Sequence, residues 1–487
     1  MKTDFSGLAV VVLAGTAFLG CGGSTTHESS PMPDSGSPVV DAAIEAEPEA
    51  APPVDHGAPS TTYPAFKPDV GQIVFQGGTI LKQPVIVPVT WNTDPSQTTF
   101  ETYADTIGAS PYWATIGKDY SVGAATSGGH AHNASTPPGM LTDQDIQNLV
   151  LTNTTPGSAL DAGTGEGGTD GGTEAGTDDG GTLSAWPAPT PNTIYAFFLP
   201  PGTSLLISAF GSGTPMDACS QGVGGYHGSV KSPVLGGDVA YAVVPSCHFG
   251  GGSVVDETTS AMSHELIEAA TDPFSSDKNV QNIGWYSFDQ NHFDWMYFNE
   301  FQGEIGDTCE FYYEAFFKND SSFPYYLQRM WSNSSIAAGH HPCVPTPPGP
   351  YFNVTPLSAT PVTATIPAAL LGGGMSQTIS TMGVRIPAGK TGTFMVGFYS
   401  DADTGGPWTI SATAGNPILG SQGDFLSQYN MSSISASIDK TSGVNGEKAQ
   451  VTVSVASTGS LFNGELLTIT STLNGTSHYM PVWIAGQ

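Results

Sequence analysis

The chain has 487 residues and carries 43 acidic against 12 basic side chains, which gives a formal net charge of -31 at pH 7. Binding to nucleic acid requires a stripe of Lys and Arg that displaces counterions, so this composition excludes nucleic acid as an expected partner. The length predicts about two or three domains of ordinary size, enough to bury a sizeable core.

The first residues have the composition of an export signal. Lys2 precedes an apolar run over residues 7–20, which is too short to span a bilayer, and Cys21 follows directly. The segment resembles a bacterial lipoprotein signal. That resemblance implies cleavage before Cys21, acylation of its thiol and a lipid anchor in the cell envelope, at an outer membrane or the cell surface. Ordinary cleavage with soluble secretion is the alternative.

Two segments of low complexity follow. Residues 22–62 are rich in Ser, Pro, Ala, Asp and Glu and contain no Lys or Arg, and residues 157–182 read GSALDAGTGEGGTDGGTEAGTDDGGT. Neither can bury enough apolar surface to offset the entropy of ordering. We predict that the first is a disordered tether and the second a disordered insert. The insert lacks the regular nonapeptide of glycine-rich calcium repeats.

Residues 63–344 are predicted to form a mixed α/β (α+β) middle domain. LKQPVIVPVTW reads as a strand, and QTTFETYADTIGASPYWATIG reads as an amphipathic helix broken before Pro111. LTDQDIQNLV reads as a short helix capped by Thr142 or Asp143, and NTIYAFFLPPG reads as a buried strand.

The stretch SAMSHELIEAATDP, residues 260–273, carries the chemistry. As a helix it places His264 and Glu268 one turn apart on one face, with Glu265 beside them. The pattern is similar to the HExxH helix of zinc peptidases, with Glu268 in place of the second histidine. A carboxylate is an accepted zinc ligand, although it opens the site to other divalent ions. We predict zinc ligands at His264 and Glu268 and a general base at Glu265; a solvated acidic helix is the alternative.

Several motifs together resemble the exordium-like (phosphate-induced) family, known from plant extracellular proteins and also from bacteria. They are VPVTW, IYAFFLPPG, DACSQGVGGYHG, SHELIEAATDP, GWY, GEIGDTCE and LQRMWSNSSIAAGHHPC. The resemblance covers about residues 70–344. It implies an extracellular protein, since the plant members are associated with growth and the cell wall, and it leaves the reaction undefined.

The segment GEIGDTC offers the rest of a metal site. Gluzincins complete their zinc site with a downstream Glu and an Asp that orients the first histidine, and Glu304 and Asp307 are similar in placement. The resemblance implies that Glu304 is the third zinc ligand and that Asp307 orients the imidazole of His264. His227 in GGYHG is the alternative third ligand, and Asp272 is less suited because Pro273 ends the helix.

The cysteines beyond Cys21 suit an exported protein in which disulfides persist. Four cysteines allow three pairings. We favour Cys219 with Cys247 and Cys309 with Cys343, because pairs that are near in sequence close modest loops. A cysteine zinc site is disfavoured, since no CxxC spacing is present. Nearby, we expect His340 and His341 to be a surface pair.

Residues 351–487 follow a Pro-rich joint, PTPPGP, and show almost no helical periodicity. Alternating runs such as TFMVGFYS, WTISATA, AQVTVSVAS and HYMPVWIA predict an all-β sandwich of about seven or eight strands, Ig-like but without a disulfide. A module of this kind is more often a spacer or adhesive domain than a catalyst.

These observations predict a zincin-like middle domain followed by a β-sandwich. The favoured function is an exported, lipid-anchored zinc metallopeptidase that acts on peptides or a cell-surface polymer through a metal-activated water. The alternative is a non-catalytic cell-surface binding or structural protein. The intact Glu265 favours the enzyme, and the unusual ligand set favours the binding protein.

Overall fold

The computed structural model describes residues 54–155, 186–208, 215–250, 252–274, 282–299, 301–310, 312, 314–366, 376–418, 433–457 and 463–486. The predicted signal peptide with Cys21, most of the predicted tether and the predicted insert at 157–182 lie outside these residues. Within the described part of the chain, no helix combines the length and the apolar character needed to cross a membrane.

The elements before residue 345 include both strands and helices. In chain order they are β1 (Ile73–Phe75), β2 (Val85–Trp91), α1 (Gln97–Ile107), α2 (Pro111–Tyr120), β3 (Thr126–Ser127), β4 (Ala131–Asn133), β5 (Met140–Thr142), α3 (Asp143–Thr154), β6 (Thr193–Phe198), β7 (Ser204–Ser208), β8 (Pro215–Asp217), β9 (Tyr226–Ser232), β10 (Gly237–Val244), α4 (Val254–Thr271), β11 (Trp285–Phe288), α5 (Phe293–Phe298), α6 (Asp307–Glu310), β12 (Phe316–Lys318), β13 (Tyr326–Gln328), β14 (Met330–Trp331), α7 (Asn333–Ala337) and β15 (Cys343–Val344).

A six-stranded sheet forms the centre of this part, in the order β3-β2-β6-β10-β9, with β4 also paired to β2. Strands β2, β6 and β10 run parallel, and β9 closes one edge antiparallel to β10. Alternate residues of β6 face opposite sides: Ile194 joins the core that includes α1, α2 and α4, and Tyr195 joins the core that includes α3. The predicted mixed α/β character is therefore confirmed in its coarse form.

Helix α4 begins earlier than the HExxE stretch suggests. Ser253 caps it by accepting a hydrogen bond from the Asp256 backbone N–H, and the Asp256 side chain accepts in return from the Ser253 N–H. The helix ends at Thr271, because Asp272 leaves the helical conformation and Pro273 cannot continue it. These caps set the two ends of α4.

The described residues after 351 form strands as their only regular elements. They are β16 (Phe352–Pro356), β17 (Thr360–Ile366), β18 (Gln377–Arg385), β19 (Lys390–Ser400), β20 (Trp408–Ala414), β21 (Ser433–Ile438), β22 (Ser442–Gly443), β23 (Lys448–Ser457), β24 (Gly464–Leu473) and β25 (Thr476–Ala485).

These strands form two sheets, β16-β19-β23-β21 and β17-β18-β25-β24-β20-β22, which we call the C-terminal sandwich. The described residues contain more strands than the seven or eight that the sequence predicts. The additional ones include β16 and β22, which are too short to show a clear alternation of apolar and polar residues. The all-β character of this part is as predicted.

The start of the described chain differs from the prediction of a tether that runs to residue 62. Residues 54–62 lie on the C-terminal sandwich, where Gly57 forms a bridge with Glu447 and the Lys448 N–H donates to the His56 carbonyl at 2.7 Å. The side-chain amide of Asn445 donates to the carbonyls of Ser60 and Thr62 at 2.9 and 2.8 Å. Backbone groups that would otherwise need water are thus satisfied by the sandwich.

The hydrophobic core is continuous across the predicted boundary near residue 351. The ring of Phe293 in the middle part lies 5.2 Å from that of Trp483 on β25, and the ring of Tyr297 lies 5.5 Å from it. Trp483 is fully buried. The two parts therefore share one packed interface, whatever the exact position of the boundary.

Two disulfides close the middle part, and both are the pairs that the sequence spacing favours. Cys219 pairs with Cys247, and Cys309 pairs with Cys343. The second joins α6 to the end of the middle part. Disulfides persist in oxidising surroundings, so the pair indicates an extracellular or envelope location.

The attachment of residues 54–62 predicts a specific effect of Asn445→Ala. The change leaves the N–H groups of Ala65 and Ser400 and the carbonyls of Ser60 and Thr62 without their partner. We expect a loss of about 1–3 kcal/mol in the free energy of unfolding and faster amide exchange around residue 60. The exposed Asn92→Ala is the control. Unchanged exchange in the Asn445 variant would contradict the attachment.

Candidate metal centre

Six titratable side chains meet where the second half of α4, the edge strand β9 and the turn before α6 come together. They are His227, His264, Glu265, Glu268, Glu304 and Asp307. The predicted general base, the predicted metal ligands with their alternative, and the predicted orienting Asp therefore all belong to one cluster. His264 and Glu265 are 9% and 5% exposed, so the cluster is enclosed but still reaches the surface.

Glu268 lies at the centre of the cluster and is only 1% exposed. Its Oε1 accepts hydrogen bonds from the backbone N–H groups of Gly306, at 2.8 Å, and Asp307, at 3.2 Å. Its Oε2 faces the two histidines, 2.9 Å from His264 Nε2 and 3.8 Å from His227 Nδ1. One oxygen thus binds the turn, and the other is left for cations.

The orientation of His264 is fixed by Gln328. The Gln328 amide donates through Nε2 to the Gly306 carbonyl at 2.8 Å, so its Oε1 is the acceptor that faces His264 Nδ1 at 3.1 Å. His264 Nδ1 therefore carries a proton, and in the neutral ring Nε2 presents its lone pair to Glu268. The sequence assigned this orienting role to Asp307, but Gln328 occupies the Nδ1 side.

Asp307 lies on the other side of the ring, with Oδ1 3.6 Å from His264 Nε2. His264, Glu268 and Asp307 each offer one ligand atom, and these atoms lie within 4.8 Å of one another. Ligands at about 2.0–2.1 Å from a tetrahedral zinc ion are separated by roughly 3.3 Å. One imidazole nitrogen with two carboxylates is a donor set that zinc accepts, so these residues fit the ion that the sequence predicts.

A second group shares Glu268. His227, Glu268 and Glu304 also offer ligand atoms within 4.8 Å of one another. His227 Nε2 lies 3.5 Å from Glu304 Oε1 and 3.1 Å from the carbonyl of Asp272. Glu304, the predicted third ligand, is therefore grouped with His227, the predicted alternative, while Asp307 is grouped with His264.

Glu265 lies between the two groups. Its Oε2 is 3.5 Å from His227 Nδ1, and a Cβ on Gly225 of the preceding turn would come within 2.9 Å of its Oε1. Glycine at this point lets the backbone approach the carboxylate closely. Glu265 thus lies beside the His227 imidazole with little free space, as a positioned base requires.

The cluster contains more acidic groups than basic ones. Burial raises the pKa of Glu268, but His264 and His227 outweigh it and hold that pKa at about 2. Burial and the neighbouring carboxylates, Glu268 first, raise the pKa of both Glu304 and Asp307 well above the usual range. Four carboxylates face two imidazoles, and a divalent cation would balance the surplus.

The histidines respond in the opposite direction. Burial alone would lower the pKa of His264, but Glu268, Glu265 and Asp307 raise it well above the usual range. Burial is likewise outweighed at His227, whose pKa is raised chiefly by hydrogen bonding to Glu265 and by Glu268. Metal binding must displace a proton from His264, so metal affinity should rise with pH.

Two members of the site were not found from the sequence. Gln328 lies 64 residues from His264 along the chain, and no local pattern connects them. Gly306 allows the turn to approach so closely that a Cβ there would lie 2.7 Å from both Glu268 Oε1 and His264 Nδ1. The glycine inside GEIGD was the available sequence signal for this turn.

Asp272, which the sequence made a less suited ligand, is fully buried, and burial raises its pKa to about 6. Its backbone carbonyl positions His227.

The close approach of Gly306 predicts that Gly306→Ala distorts the cluster without removing a ligand. The added methyl must displace His264 or Glu268, which are both held by hydrogen bonds, at a cost of about 1–3 kcal/mol. Gly139→Ala is the matched control, because a Cβ there meets nothing within 4 Å. Urea unfolding of both variants measures the difference. Equal stabilities would show that the turn does not touch these side chains.

Comparisons with known proteins assign no family. No family model matches the chain, and no curated protein matches it significantly. One solved structure, the S-layer protein SbsC domains 4 and 5, aligns at 14% identity with a TM-score of 0.14, covering 32% of this chain and 90% of that chain. A likeness of this degree carries no conclusion about fold or function.

Proposed function

We propose that the protein is an exported, lipid-anchored, zinc-dependent hydrolase, a peptidase, with its centre on α4. The observation that carries this proposal is the His264 ring: Gln328 holds its Nδ1, and its Nε2 faces Glu268 and Asp307 at 2.9 and 3.6 Å. An oriented imidazole and two carboxylates supply three donors of types that zinc accepts, which leaves a fourth position for the water that a catalytic site requires.

The residues divide the chemistry among them. Bound zinc would supply a water of lowered pKa and polarise the scissile carbonyl. His264 and Glu268 would hold the ion, and Glu265 would accept the proton of the attacking water and return it to the departing amine. His227, 3.5 Å from Glu265, keeps that carboxylate oriented. Gln328 holds the His264 tautomer through the cycle.

The third ligand has two candidates in this proposal. Asp307 shares a group with His264 and Glu268, whereas Glu304, which the gluzincin resemblance favours, shares one with His227. The His264 group is favoured because its distances bracket the separation expected around a tetrahedral ion. Glu304 then acts beside His227, at the rim of the cluster.

The wider assignment rests on sequence resemblance. The exordium-like motifs and the HExxE pattern support a zincin-like middle domain, and the N-terminal pattern supports acylation at Cys21. The two disulfides agree with export. Peptides or a cell-surface polymer are the substrates that this location and a metal-activated water favour.

A binding or structural protein is the second candidate. Its specific support is the C-terminal sandwich, whose two extended sheets carry no part of the α4 cluster, and the ion pair between His264 and Glu268, which satisfies both groups without a metal. In that case the cluster would hold α4, β9 and the turn together, and the C-terminal sandwich would be the surface that binds a partner.

The first experiment measures zinc and hydrolysis together in the full chain. We expect the wild type to bind about one equivalent of zinc at the α4 cluster. The His264→Ala variant should lose that equivalent, because a site that lacks one ligand binds zinc far more weakly. Glu265→Gln should retain zinc while hydrolysis of a peptide library falls by roughly two to four orders of magnitude, the usual worth of a general base.

Two further variants decide the third ligand. Asp307→Asn should weaken zinc binding much more than Glu304→Gln, and the reverse order would restore Glu304 to the shell. Zinc bound without any hydrolysis by the wild type would favour the binding protein. Failure of His264→Ala to change the zinc content would remove the hydrolase proposal.

The anchor has its own test. Cys21→Ser removes the acceptor thiol, so the variant should appear in the soluble fraction or remain as uncleaved precursor. Fractionation of cells that express the full precursor, followed by mass measurement of the mature N-terminus, gives the answer. Membrane retention of a normally processed variant would rule out acylation at this cysteine.

A further inference from the structure

A cavity lies at the junction between the end of the middle part and the C-terminal sandwich, away from the α4 cluster. It has a volume of about 200 Å³, and its lining includes Glu314, His341, His478, Tyr351 and prolines of the joint. His341 and His478 are each 3% exposed. His341 was expected at the surface beside His340, but only His340 is exposed, in an ion pair with Asp401.

Each of the two buried rings has a nitrogen that makes no hydrogen bond to a described residue. His478 Nδ1 donates to the Phe352 carbonyl at 2.9 Å, which leaves Nε2 as the lone-pair nitrogen of the neutral ring. His341 Nδ1 accepts from the Cys343 N–H at 3.0 Å and lies 3.2 Å from the Cys343 carbonyl, and among the described residues its buried Nε2 has no hydrogen-bond partner. Binding of an ion through His341 Nε2 selects the tautomer in which Nδ1–H donates to the Cys343 carbonyl in place of the bond from the Cys343 N–H. A buried polar atom without a partner is costly, so it points to a missing ligand.

Glu314 completes the constellation. One of its carboxylate oxygens and one ring nitrogen from each histidine lie within 4.8 Å of one another. The rings themselves stand 5.2 Å apart at 74°, so they are not stacked on each other. Arg329 lies beside Glu314; its Nε donates to the Glu314 carbonyl, and its guanidinium lies over the Phe317 ring.

We propose that Glu314, His341 and His478 form a second divalent-metal site, which joins the middle part to the C-terminal sandwich. Two neutral imidazoles and one carboxylate suit a divalent first-row transition ion such as Zn²⁺, and suit Ca²⁺ or Mg²⁺ poorly because those ions take oxygen ligands.

The role of the ion follows from where its ligands lie. His341 is two residues before Cys343, which the disulfide ties to Cys309, whereas His478 lies on β25 of the sandwich. A shared ion therefore links a disulfide-braced corner of the middle part to the sheet that packs against it. The site is independent of the proposed hydrolase and would exist in the binding protein as well.

The test compares zinc content and thermal unfolding of the full chain after chelation and return of Zn²⁺. Glu314→Gln is the principal variant, because Glu314 is only partly buried and Gln keeps its shape. We expect it to lose one equivalent of zinc, or to bind that equivalent at least about ten- to a hundred-fold more weakly. The zinc-dependent rise of the thermal midpoint should diminish with it.

Two comparisons separate this site from the α4 cluster. In a His264→Ala background, zinc should still bind and still depend on Glu314; if that variant does not fold, the loss of one equivalent is measured in the otherwise unchanged chain. His340→Gln, one residue from His341 but outside the cavity, should change nothing. Zinc content and midpoint unaffected by Glu314→Gln would overturn the proposal, and so would equal losses in the His340 variant.

Discussion

The buried carboxylate of Glu268 is the interaction on which the candidate centre depends. Its Oε1 is taken by two backbone N–H groups of the 306–307 turn, and its Oε2 is shared by two imidazoles from different elements. A charge this deeply buried is tolerated only when it is paired and hydrogen-bonded. One side chain thus holds α4, β9 and the turn before α6 at fixed distances from one another.

This arrangement accounts for the composition of the cluster. Four carboxylates cannot all be ionised beside two imidazoles, so some must hold protons unless a cation is present. A cluster with only a structural role would be more stable with fewer acidic side chains, because each buried acid adds a desolvation cost. A bound divalent cation would balance the surplus of carboxylates, whereas packing of α4 alone does not require them.

The sequence was informative where the chemistry is local. His264 and Glu268 are one helical turn apart, and that spacing alone places both on one face. The distribution of Glu304, Asp307 and His227 between two groups was not predictable, because it depends on the path of the turn and the position of edge strand β9. Gln328 comes from a distant strand, where an amide gives no pattern at all.

The same reasoning explains the fold. The β-rich C-terminal part was readable because alternation of apolar and polar residues is a property of each strand by itself. Contacts across the junction could not be predicted in this way. His341 was expected at the surface beside Pro342, but the rings of Tyr351 and His478 enclose it. Burial of this kind is decided by packing between parts, which no single stretch records.

The attachment of residues 54–62 to the C-terminal sandwich also constrains how the chain folds. Bonds such as those between Asn445 and Ser60, or His56 and Lys448, join residues 385 and 392 positions apart. Contacts of such sequence separation are slow to form because a very long loop must close first. During synthesis the chain emerges N-terminus first, so residues 54–62 have no docking surface until residues 445–448 have followed. The start of β23 must therefore be made before the first described segment of the chain can dock.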